Sequence, residues 1–151
     1  MKNLSKSAIA AFGVTALLLT ACGDDADTTS TDAPSDVESE AMADASVSFE
    51  NVVDGDTITS PFEATFTATG VTIVAAGEPV DGEGHMHIMV DTPCVTVGEV
   101  IVKDESHLHF GDGATTGTLE LEAGEHTLCL QFADGLHVAS ALTQEITVTV
   151  A

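Results

Sequence analysis

The chain has 151 residues, with 25 acidic side chains against three lysines and no arginine, for a formal net charge of −22. A surface this acidic repels phosphate backbones and anionic headgroups, which excludes nucleic acid as a partner. Six Phe with no Trp or Tyr leave any core to Val, Ile, Leu and Ala, and the length suits one ordinary domain once tails are removed.

Residues 1–21 read as an export signal. Lys2 and Lys6 give a positive start, Ala8 to Leu19 is apolar, and the apolar run is shorter than the roughly 20 residues a membrane helix needs. Leu19-Thr20-Ala21-Cys22 resembles the bacterial lipobox, whose cysteine receives a diacylglycerol and becomes the new N-terminus. The resemblance implies lipidation at Cys22, a membrane contact through that lipid alone, and an extracytoplasmic place in a bacterial envelope. Removing the signal leaves Lys103 as the one basic residue. Residues 22–45 hold Asp, Glu, Thr, Ser and Ala with scarcely a large apolar group, so they are expected to form an acidic disordered tether.

From residue 46 the pattern changes to short alternating runs separated by turn residues. Val47 to Phe49 begins it, Asp54-Gly55-Asp56 turns, and Phe62 to Ala68 alternates with period two. A short run from Val71 to Ala75 and a loop from Gly77 to Gly84 lead into His85-Met86-His87-Ile88-Met89-Val90. Val95 to Val102 reads as a further strand, followed by His107-Leu108-His109-Phe110, Thr118 to Leu121, His126 to Phe132 and Thr143 to Val150. Turn signals every 8–12 residues without a helical period predict an all-β domain over residues 46–151. The expected form is an antiparallel immunoglobulin-like β-sandwich of about seven strands. Phe49, Phe66, Ile88, Leu119, Leu128, Phe132 and Val148 fall on apolar strand faces and are the expected core.

With Cys22 taken by lipid, Cys94 and Cys129 remain. An exported protein most simply pairs them as a disulfide. Two free thiols, or Cys129 as a soft metal ligand, are the alternatives.

All six histidines lie between residues 85 and 137. Side chains alternate along a strand, so His85 and His87 share a face about 6.6 Å apart, as do His107 and His109. The interleaved Met86, Ile88, Leu108 and Phe110 belong to the core, which points the histidines outward with Met89 on their side. Imidazole pairs of this kind suit zinc or copper, and a thioether nearby tilts the choice to copper. The candidate ligands are His85, His87, His107, His109, His126 and His137. Imidazole binds a metal only when neutral, so affinity is expected to fall below about pH 6.5. His126 also stands near the position of a corner residue in sandwich domains, which gives it a structural alternative.

His85-x-His87 with Asp91 and Gly98 resembles the first metal motif of cupins, which makes a jelly-roll barrel the alternative fold. A second resemblance covers more of the chain. Gly84-His85-x-His87 with Asp91, His107-Leu108-His109-Phe110-Gly111, Gly124-x-His126-Thr127-Leu128 and Asp134-x-x-His137 together resemble the bacterial domain of unknown function numbered 4399, over about residues 46–150. That family occurs in exported proteins and lipoproteins, and the resemblance supports the module and its histidines without implying a chemistry. The usual nucleophile, phosphate-loop and dinucleotide motifs are missing, so no enzymatic activity is expected. Two functions follow from these residues: a lipid-anchored metal-binding module, or a non-catalytic envelope interaction or adhesion domain with structural histidines.

Overall fold

A computed structural model describes residues 44–151, so the signal segment, Cys22 and all but the end of the acidic stretch lie outside the described residues. Nine strands follow in order: β1 Ser46–Phe49, β2 Thr57–Ile58, β3 Phe62–Thr69, β4 Thr72–Ile73, β5 Glu83–Val90, β6 His107–Phe110, β7 Thr116–Leu119, β8 Gly124–Ala133 and β9 Ala139–Val150. They form a three-stranded sheet, β1-β3-β7, and a six-stranded sheet, β2-β9-β8-β5-β4, in which β6 also pairs with β5. Pairing is antiparallel except for the two-residue strands β2 on β9 and β4 on β5, which are parallel. Those two pieces raise the count above the expected seven; each is too short to show a period of its own.

The two sheets make a β-sandwich because both have one apolar face. Val47, Phe49, Ala64, Phe66 and Leu119 from the small sheet meet Met86, Ile88, Leu128, Leu130, Phe132, Ile146 and Val148 from the large one. Every residue expected in the core is buried. Phe66 and Phe110 pack with ring centroids 5.0 Å apart, within the usual range for an aromatic pair.

The outer face of the large sheet is also covered, against expectation. The stretch expected as a strand from Val95 to Val102 is not one. It crosses that face as an irregular segment held by dispersed contacts, and Val100 forms only an isolated bridge with Val138. Gly98 donates to Ala139 O at 2.9 Å, Ala139 donates to Glu99 O at 2.8 Å, and Ile101 donates to His137 O at 2.9 Å. The side chain of Gln131, itself buried, accepts from Val95 N at 2.9 Å and donates to Val95 O at 2.8 Å. The Cys94–Cys129 disulfide ties the start of the segment to β8. Beneath it Met89, Ile101, Cys129, Ala133 and Ala139 form a second, smaller core. The sheet's backbone groups already have partners in neighbouring strands, so a covering segment must find side chains and strand ends instead.

Candidate metal centre

His85 and His87 lie on that covered face. They do not point into solvent as expected; both are 0% exposed. Period-two alternation placed them opposite Met86 and Ile88 correctly, but on the face they occupy the rings of His109 and His137 pack against them, with Ile101 holding the His137 backbone.

Three segments bring four imidazoles together. The β5–β6 register sets His87 directly across from His109, and the β5–β8 register sets His85 across from Ala133 at the end of β8. The turn after β8 then returns His137. Asp134 shapes that turn: its Oδ1 accepts from Leu136 N at 2.8 Å and Val138 N at 2.9 Å, and its carbonyl accepts from His137 N at 3.0 Å. His137 takes a left-handed backbone with φ of 69°, and the Ile101 amide holds its carbonyl.

The ring centroids of His85, His87, His109 and His137 lie 4.8 to 5.7 Å apart. Nε2 of His87 is 3.0 Å from Nε2 of His85, and Nε2 of His137 is 3.1 Å from Nε2 of His109. One ring nitrogen from each of His85, His109 and His137 falls within 4.8 Å of the others, so these three could hold a metal ion. Bonds of about 2.0–2.1 Å in a tetrahedral site put neighbouring nitrogens about 3.3–3.4 Å apart, so the close pairs need open only slightly to admit one.

Burial, followed by repulsion from His109 and His137, lowers the His85 pKa to about 4, with Asp134 acting the other way. Burial, then the other cluster histidines, lowers His87 to about 3. His109 is lowered too, first by burial and then by His137 and Lys103. The inner imidazoles therefore stay neutral well below the pH at which a free histidine charges. Nδ1 of His85 and Nδ1 of His87 are buried without a hydrogen-bond partner. Metal-bound histidines ordinarily donate their second ring nitrogen to an oxygen acceptor, and this inner pair lacks that support.

The other two histidines do not join the cluster. His107 shares the face of His109 but sits two residues along β6, opposite Met89, where its Nδ1 meets Asp104 at 2.8 Å. His126 Nδ1 meets Asp91 at 2.8 Å, and its Nε2 lies 2.9 Å from Glu122 O. The Asp91 hydrogen bond raises the His126 pKa. Burial would raise Asp91, but bonds from His126 and the Thr127 amide outweigh it and hold the carboxyl below its ordinary range. His126 thus fastens the start of β8 to the end of β5. Gln131 and Ile101 had no part in the sequence-based site, since each acts through a contact distant along the chain, whereas Asp134 stood in the Asp134-x-x-His137 motif and shapes its turn locally.

No curated protein and no solved structure matches the chain. The family model described as Domain of unknown function (DUF4399) matches residues 64–151, more than half of the chain and all four clustered histidines, and the chain belongs to that family.

Proposed function

We propose that the domain binds one transition-metal ion, copper or zinc, through His85, His109 and His137, with His87 as a fourth nitrogen donor. It does so without catalysis, on a chain anchored outside the cytoplasm by lipid at Cys22. The observation that carries this reading is the convergence of three ring nitrogens within 4.8 Å from β5, β6 and the β8–β9 turn. The all-nitrogen donor set favours copper or zinc over calcium or magnesium, which prefer oxygen. Neutral inner imidazoles are ready for a metal at neutral pH, since protonated ones cannot bind.

The test is calorimetric titration of the chain lacking residues 1–21 and carrying Cys22→Ser, with Cu(II) and Zn(II) in turn. A one-to-one isotherm weakened by both His85→Ala and His137→Ala supports the site. No binding tighter than roughly 100 μM with either ion would remove it. An envelope interaction domain would then lead. That second reading is favoured by Val97, Val100, Val102 and Leu136, which are all more than half exposed on the covering segment and the His137 turn.

A further inference from the structure

We infer that Gly111 is a positioning residue for the histidine cluster, its missing side chain being the space that the His109 imidazole occupies. Gly111 follows β6, two residues after His109. A Cβ there would overlap Cε1 and Nε2 of the His109 ring and reach within 3.1 Å of its Nδ1. Its backbone is not among the left-handed glycines, so an L-residue could adopt the local conformation. Its carbonyl accepts from Ala76 N at 2.9 Å, a bond that alanine keeps. The obstacle to a side chain at this position is therefore the end of one rotatable side chain.

Two other glycines near the cluster differ. A Cβ at Gly84 would meet the carbonyl of Ala133 in the partner strand, and one at Gly135 would come within 2.6 Å of Gly77 O. Those neighbours are backbone, so substitution there disturbs the fold. Alanine at position 111 can be accommodated by swinging the His109 ring about its χ angles, away from His137 and His87. A methyl group at 111 thus tests ring placement while leaving every histidine in the chain.

The consequence for affinity rests on the proposed metal site, but the ring displacement does not. The first measurement is made without metal, on the chain carrying Cys22→Ser, by following imidazole nitrogen resonances in Gly111→Ala. The His109 signals should move while those of His126 stay in place; an unmoved His109 overturns the inference whatever the metal result. Zinc titration follows, with Gly111→Ala introduced both alone and into His109→Ala. Alone it should weaken binding by about 10- to 100-fold, and in the His109→Ala background it should change nothing further. Equal losses in both backgrounds would mean that Gly111 acts through the fold, and the inference fails. If Gly111→Ala does not fold, the double variant decides: a folded double variant identifies the ring as the clash, and an unfolded one overturns the inference. Failure of the unsubstituted chain to bind zinc or copper would remove the proposed function and leave the ring measurement to judge Gly111.

Discussion

Acid should unfold the metal-free domain earlier than its carboxylates alone would. His85 and His87 have native pKa values of about 4 and about 3, against about 6.5 for a histidine in the unfolded chain. Below about pH 6.5 the unfolded chain binds protons at both positions and the native state does not, so stability is present above that pH and drains away as pH falls. Each group contributes a loss of about 1.4 kcal/mol per pH unit, or about 2 kcal/mol at pH 5 and about 4 for the pair. That is a large share of the roughly 5–15 kcal/mol by which domains are stable. His109 adds to the loss in the same direction. His126 works oppositely, since its raised pKa gives stability that is complete below about 6.5 and lost above it, so it leaves this window flat. Asp91, being depressed, withdraws its contribution only when pH falls into the carboxylate range. Urea denaturation with a chelator present, at about pH 7, 6 and 5, reads the slope directly. His87→Leu should reduce the slope by about one proton. A loss under about 1 kcal/mol between pH 6.5 and 5, or an unchanged slope in His87→Leu, would refute the claim that these imidazoles are buried and neutral.

Three further outcomes are expected. His126→Ala should cost no more than about 1 kcal/mol in urea denaturation, since the Asp91 it releases is half exposed and keeps the Thr127 amide, and should leave zinc and copper affinity unchanged; a tenfold weaker isotherm would return His126 to the site. Replacing Cys94 and Cys129 with serine should cost roughly 4 kcal/mol for the 35-residue separation, and hydrogen exchange should quicken at the Ile101 and Ala139 amides, which hold the cover. Cys22→Ser should move the mature chain from the membrane fraction to the soluble one; retention on the membrane would remove the lipid anchor.

The fold was legible because its signals are local. Alternation over Phe62 to Ala68, the spacing of turn residues and the apolar partners of the histidines all operate within a few residues, and they identified both the sandwich and its inner face. The pairing of Cys94 with Cys129 was legible in the cysteine count, on the expectation of export with Cys22 set aside. What escaped were features made by distant contacts. Val95 to Val102 looks like a strand from its valines, but it is held by the Gln131 side chain, the bond from neighbouring Cys94 to Cys129 and the first residue of β9, all supplied from distant parts of the chain. Without that cover the histidine face read as wet. Alternation also gives a face and not a height along the strand. His107 and His109 therefore looked equivalent, although only His109 lies level with His87. The Gly111 that ends the His107–Phe110 run was visible all along, but its role depends on where a ring two residues away is aimed.

The outer edge of β5 is closed by two short strands in relay. β4 covers Glu83 and Gly84 from one direction, β6 covers Met86 to Met89 from the other, and His85 sits at the handover. A long bare edge offers its unpaired amides and carbonyls to any passing strand and invites chain-to-chain sheet growth. Here the outermost pieces are two and four residues long and run in opposite senses, so this edge presents no continuous ladder for another copy to extend. Together with like-charge repulsion between copies of a chain with net charge −22, this disfavours strand addition along that edge of β5.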